Sequence, residues 1–505
     1  MDKMNCLKVL ERKIPYLIGL VSFVYYTILS AKEYTWMFVS SDSGDWLMCS
    51  NWWVVPQSYG SPLYISLARL LGTFPGDTVV TMTILLSCLP AAITVTLIYL
   101  IIHKLTRKTL PAIASSLVLL GAGVFLTQST VLEEYALAIM FMTAAYYFYL
   151  HNKQMLTALA LGLGTAIHIF ILPIAVFWFV LHVLKEKAAK PLLKSVAVYF
   201  ISGVLPYSLI LVLMYLDTPR LLAGGLNFES LRFYLFGTGD TIIGTLSVFE
   251  APRRILAMTS ILLMSLGLAF VPIYSGLKRP FDTKTRILLM IVLVSLWYYL
   301  TSLDPLSWTF MCFALPSLAI LAGIGLSKLT LKHSQIIITG TIALIIVNSM
   351  FLNANVLTKQ NPRATTYYEE LMSLPDHSVV VATIGSYSLG LSYVMSEGKN
   401  LIPILTSTDA LCDANPDYKT WMEEKYGIEG SDTLERVQYA LDEGYNVYFA
   451  GGDRDMCLAG QLFTYTTDNA CSVRPVTSLS GVDPNTIEPE PPKQFWDEIL
   501  AGYRR

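Results

Sequence analysis

Charge is scarce in this sequence. Of its 505 residues only 14% are Asp, Glu, Lys or Arg, while 54% are hydrophobic and 12% aromatic. That balance is far more apolar than a water-soluble domain carries, so an ordinary soluble fold is excluded. Other things are missing too. There is no Walker phosphate loop and no dinucleotide fingerprint, which argues against a nucleotide substrate, and nothing marks a nucleic-acid partner. No CxxC or His/Cys cluster argues for zinc, and no Asn-x-Ser/Thr acceptor points to a glycosylated surface protein. No repeat of fixed period occurs. The seven cysteines divide into Cys6, Cys49, Cys88 and Cys312 among apolar segments and Cys412, Cys457 and Cys471 near the carboxyl end. Cys457 and Cys471 would close a short loop if bridged; three free thiols is the other reading.

What is present is apolar chain in spanning lengths. Runs lie near 14–31, 79–102, 110–127, 135–150, 155–168, 171–184, 194–216, 255–275, 286–302, 308–327 and 335–352, about eleven helices at roughly 20 residues per crossing. The stretch 155–184 is expected to be a hairpin bending near His168 to Pro173, because charge requires both its ends on one side. With the amino terminus in the cytoplasm, eighteen basic residues before residue 353 fall in inner segments and six in outer ones, the bias of the positive-inside rule. The first run could be a cleaved signal peptide ending near Leu29-Ser30-Ala31, but its length suits a retained span. These features predict a multi-pass protein of the plasma membrane, or of the endoplasmic reticulum if eukaryotic.

After residue 352 the character changes. Residues 353–505 hold 11 basic and 22 acidic residues, and an odd number of spans places them outside. HSVVVATI, NLIPIL and GYNVYFAGG read as buried strands, with SYSLGLSYVMSEG and SDTLERVQYALDEG as helices, the second opened by an Asp432/Glu435 capping box. A small, largely parallel α/β sheet is expected, followed by a Pro-rich linker. The expected fold class is therefore a polytopic α-helical membrane domain, 1–352, with an extracytoplasmic soluble α/β domain, 353–505. The first outer loop, 32–78, would carry juxtamembrane helices.

The candidate chemistry sits at the outer membrane edge. SSDSGDWLMCSNWW places Asp42 and Asp45 directly after the first span. Alone, they would be a helix cap before an amphipathic interfacial segment. The loop, however, also holds Trp46, Trp52, Trp53, Tyr59 and Tyr64, so it lies along the interface. TQSTVLEEYAL adds Glu133 and Glu134 at the mouth of another hairpin. Two carboxylate clusters on one surface fit general-base chemistry on a membrane-borne substrate. Of the six outer cations, the candidates for holding a phosphate are Arg220, Arg232, Arg253 and Arg254. The 253/254 pair stands at headgroup depth, where it serves either as an interfacial anchor or as a phosphate clamp. His168 reads as a packing residue or a site residue.

In these segments the sequence resembles the GT-C glycosyltransferases, closest to the protein O-mannosyltransferase-like branch. SDSGDWLMCSNWWVVPQSYGSPLYISLARLLG resembles the first lumenal loop, with its Pro-Gly-Tyr-Pro-Leu-type turn spread over Pro56, Tyr59, Gly60, Pro62 and Leu63. TVLEEYALA resembles the second-loop Glu-x-Tyr-Ala-Leu signature, GLGTAIHIFILP a following segment with its His, and WTFMCFALPSLAILAGIGL a late helix. The resemblance implies an enzyme that moves a sugar from a polyprenyl-phosphate donor to a protein, glycan or lipid acceptor on the extracytoplasmic side. Asp42 would be the base, Asp45 its partner, and Glu134 a sugar or acceptor ligand. Glu133, Tyr59, His168, Arg232, Arg253 and Arg254 would bind substrate. No cofactor is expected; a divalent cation is conceivable but disfavoured, as the O-mannosyltransferase-like branch manages without one. The competing classes are a multi-pass transporter or flippase, which would place ionisable groups at the midplane, and a receptor that uses the outer tail.

Overall fold

The computed structural model describes residues 3–30, 42–51, 61–185, 189–208, 250–277, 283–301, 305–354, 361–383, 391, 393–406, 423, 426–430, 433–450, 463–465 and 473–479. The chain forms two compact units. One comprises Met1–Lys32, Trp53–Thr218 and Leu222–Thr358; the other comprises Glu33–Trp52, Pro219–Leu221 and Lys359–Arg505.

The first unit is helical. Among the described residues, Thr78–Thr106, Arg254–Leu277, Thr283–Leu300, Thr309–Leu326 and Leu331–Leu352 are each long and apolar enough to cross a bilayer. Thr109–Leu120 and Gly123–Thr130 are long and apolar enough only when taken together, and they meet at a bend of 65°. Shorter apolar helices include Lys13–Leu29, Tyr135–Leu150, Gln154–Ile167 and Ile171–Leu184. The protein is an integral multi-pass membrane protein. Its last membrane helix turns Ile336, Ile346, Val347 and Met350 outward, a face that only lipid would solvate well. The stretch 155–184 is broken where the hairpin was expected to turn: one helix ends at Ile167 and the next starts at Ile171.

The segment ALPSLAILAGIGL, Ala314–Leu326, is buried at every position. Its glycines explain how. A Cβ on Gly325 would stand 1.8 Å from the Pro272 carbonyl oxygen, and one on Gly276 2.3 Å from that of Leu321. The two backbones therefore touch, which a larger residue forbids. The break at Gly121 is met by a buried polar side chain. Asn348, buried on the last membrane helix, donates from Nδ2 to the Gly121 carbonyl at 2.7 Å and to the Met264 carbonyl at 3.2 Å. Both carbonyls belong to helix ends, where no intrahelical donor reaches them. A side-chain amide replaces the water they cannot have.

In the second unit five strands, β1 (Val379–Thr383), β2 (Ile402–Thr406), β3 (Val447–Ala450), β4 (Phe463–Tyr465) and β5 (Val473–Leu479), form one sheet in the order β2-β1-β3-β5-β4. β1 pairs parallel with β2 and β3, whereas β5 pairs antiparallel with β3 and β4. The three apolar strands stand where the sequence placed them. The sheet is mixed rather than largely parallel: β5, whose sequence VRPVTSL contains Pro475 and buries only Val473 and Val476, gave no strand signal. The helix Thr433–Asp442 covers the sheet with Val437 and Ala440, which pack with Val379, Val381, Ile402, Ile404 and Phe449. The helix Asp42–Asn51 belongs to this unit by its contacts. Asp432, the linker after residue 479, and Cys412, Cys457 and Cys471 lie outside the described residues.

Candidate active site

Glu133 and Glu134 occupy the short connection between the helices Gly123–Thr130 and Tyr135–Leu150. The sequence places them at the outer mouth of a hairpin; in the structure they are buried, 1% and 0% exposed. A carboxylate is costly to bury unless fixed dipoles or charges replace water. The connection supplies some of this. Glu134 is the N-cap of Tyr135–Leu150, its carbonyl accepting from the Ala138 N–H at 3.0 Å, and a helix amino end favours negative charge. The backbone at Glu133 is held by Ser87, which accepts from its N–H at 3.4 Å and donates to its carbonyl at 3.3 Å. Ser87 lies in a π-helical stretch, Thr83–Cys88, a distortion often found at functional sites.

His168 faces Glu134. The residue leaves the helix Gln154–Ile167 in extended conformation, φ −148° and ψ 123°. Its Nδ1 then accepts the Phe170 N–H at 3.1 Å. A nitrogen that accepts carries no proton, so the neutral ring is protonated on Nε2. That nitrogen stands 3.7 Å from the Glu134 Oε1, with His168 2% exposed and Glu134 fully buried. Gly164, one turn before the break, packs against the next helix: a Cβ there would stand 2.7 Å from Ile171 Cδ1.

Aromatic rings enclose the imidazole. Tyr135, Phe313 and Phe310 lie 5.3, 5.4 and 6.0 Å from it between centroids. Phe170 stacks on Phe313 at 4.1 Å. The Tyr135 hydroxyl accepts from Thr309 at 3.1 Å. Cys312, fully buried, is within electrostatic range of both glutamates. The site therefore joins a carboxylate with a neutral imidazole N–H inside an apolar wall. Such a pair can accept a proton, or hold a hydroxyl by its oxygen and its hydrogen at once. Among the described residues no group of three or more His, Cys, Asp or Glu is placed to hold a metal ion.

The other expected site residues divide. Asp42 and Asp45 lie on the helix Asp42–Asn51 with only their backbone described. Arg254 donates from Nη1 to the Tyr299 and Leu300 carbonyls at 3.5 and 3.3 Å, at the carboxyl end of Thr283–Thr301, where a cation is favoured. It thus has a structural task in addition to any phosphate role. Only the backbone of Arg253 is described, and Tyr59, Arg220 and Arg232 lie outside the described residues. Sequence reasoning missed the parts played by Ser87, Phe170, Thr309, Phe310 and Phe313. The one available signal was the aromatic spacing in WTFMCF.

No protein-family model matches the sequence, and no curated protein matches it. The structure does have similar ones. It resembles the crystal structure of ArnT from Cupriavidus metallidurans bound to undecaprenyl phosphate, with a TM-score of 0.61 at 12% identity, over 92% of this chain and 97% of that one. The apo crystal structure of the same ArnT gives 0.57 at 12% identity, over 94% and 98%. The cryo-EM structure of the arabinofuranosyltransferase AftD from Mycobacteria gives 0.47 at 11% identity, over 94% of this chain and 40% of that one. The chain thus shares the fold of that ArnT over nearly its whole length.

Proposed function

We propose that the protein is a membrane glycosyltransferase that takes a sugar from a polyprenyl-phosphate donor and transfers it to an acceptor hydroxyl on the extracytoplasmic face. The observation that carries this reading is the buried Glu134–His168 pair, at the position where the sequence resembles a GT-C second-loop signature. The likeness to an ArnT crystallised with undecaprenyl phosphate supports the donor class. In the reaction an acceptor oxygen bonds to the anomeric carbon as the bond from that carbon to the phosphate oxygen breaks. The electron pair leaves with the polyprenyl phosphate, and a base takes the acceptor proton. Asp42 is the proposed base, with Asp45 orienting it. Glu134, with the His168 Nε2 3.7 Å away, holds hydroxyls of the sugar or acceptor, and Glu133 binds substrate beside it. Tyr59, Arg232, Arg253 and Arg254 are proposed for donor binding, and no metal is invoked. Protein hydroxyls, glycans and lipids all fit as acceptors.

A transporter reading draws on the broken span at Gly121. One assay separates the two: release of undecaprenyl phosphate from undecaprenyl-phosphate mannose or glucose by the purified protein. Release is expected, and Asp42→Asn or Glu134→Gln should lower it by at least about 10²-fold, the lower range for loss of a positioned acid–base group. Movement of the lipid between leaflets with no release would establish transport in its place.

A further inference from the structure

The helix Asp42–Asn51 is poorly suited to form by itself. Six of the ten residues in DSGDWLMCSN are Gly, Asp, Ser or Asn, all weak helix formers. Even good formers are marginal at this length in water. Contacts outside the helix must hold it. By those contacts Glu33–Trp52 groups with Lys359–Arg505, although the chain on either side of it belongs to the membrane unit. One tie is specific: Asn51 Nδ2 donates to the Ser396 Oγ at 3.1 Å.

Ser396 is prepared to accept it. Its own hydroxyl proton goes to the Tyr393 carbonyl at 2.6 Å, leaving lone pairs for Asn51. The next residue, Glu397, receives the Tyr393 hydroxyl at 2.7 Å and the Tyr368 hydroxyl at 2.5 Å. Tyr368 lies on the helix Asn361–Ser373, so the anchor point is tied into the body of the C-terminal unit. Trp46, Leu47, Met48 and Cys49 are at most 1% exposed, so the helix is also packed.

We propose that the C-terminal unit is the anchor of the acidic helix, with Ser396 as a positioning residue that holds Asn51 and thereby sets where Asp42 and Asp45 stand. This gives the unit a part in the reaction, and it rests on the reading of Asp42 as the base. A base displaced by about 1 Å can lose on the order of 10² in rate, so an anchor remote from the chemistry matters.

The test compares Asn51→Ala, Ser396→Ala, the double variant and Ser396→Thr in the full-length protein. Hydrogen exchange of amides 42–51 should quicken by about 2- to 10-fold in the Ala variants, as expected for one lost hydrogen bond, with the membrane helices unchanged. With undecaprenyl-phosphate mannose as donor, kcat should fall more than KM changes. The double variant should be no worse than either single, because both remove one contact. Ser396→Thr, which keeps the hydroxyl, should restore both readouts. Unchanged exchange at 42–51 overturns the proposal, as does faster exchange with unchanged kcat in a protein that Asp42→Asn inactivates. If Asp42→Asn is itself fully active, the assignment of the base has failed, and the exchange data alone decide the anchoring.

Discussion

At the residue scale the imidazole of His168 has two separable tasks, because its two nitrogens face different partners. Nδ1 accepts the Phe170 N–H, and Nε2 addresses Glu134. Asparagine places its amide oxygen near Nδ1, whereas glutamine carries its amide nitrogen toward Nε2. His168→Asn should therefore keep the bend and the stability but lose the alignment of Glu134, lowering turnover by about 10- to 100-fold, within the range that misplacement of a catalytic group costs. His168→Gln should retain more activity and lose about 1–3 kcal/mol of stability by leaving the Phe170 N–H unpaired. Thermal unfolding and donor turnover measured on both variants give the comparison, and identical behaviour would show that the two nitrogens are not divided in this way.

At the element scale two devices hold helices at distances and angles that apolar pattern alone would not select. One is the contact of Gly325 and Gly276 with opposing carbonyls. Gly325→Ala should cost about 1–3 kcal/mol or more, since its neighbour is backbone and cannot rotate away. The other is Asn348 across two helix ends. Asn348→Leu matches its size roughly but leaves two carbonyls without that donor, at about 1–3 kcal/mol for each carbonyl left unsatisfied. Both variants should show lower melting temperatures and less monodisperse material in detergent. A wild-type melting curve for Gly325→Ala would mean that the helix pair is not packed this closely.

At the scale of the whole molecule the charge asymmetry carries the orientation. The eighteen-to-six division of basic residues predicts residues 353–505 outside and the loops 103–109, 185–194 and 276–286 inside. Single cysteines placed in these segments and labelled with a membrane-impermeant thiol reagent should react from outside in the tail and not in the loops. Labelling of the loops in intact cells, with the tail protected, would reverse the orientation and remove the proposed site from the outer face.

The sequence by itself determined the solvent and the material of the fold. Composition required a bilayer, and the length of the apolar runs located Leu331–Leu352 and the helices on either side of the bend at His168–Phe170. Short apolar runs located β1, β2 and β3. These are local quantities: hydrophobicity and period are properties of neighbours in the chain. Only the tertiary structure decided that Glu134 is buried against His168, that Phe310 and Phe313 close around that ring, and that Arg254 reaches the end of Thr283–Thr301. The same holds for the helix Asp42–Asn51, which takes its support from Ser396. Each of these pairs residues far apart in sequence through a single distance. A lone His among apolar residues, or an Asn in a span, has the same local signature whether it packs, caps or aligns a carboxylate; what differs is the atom it meets across the helix packing.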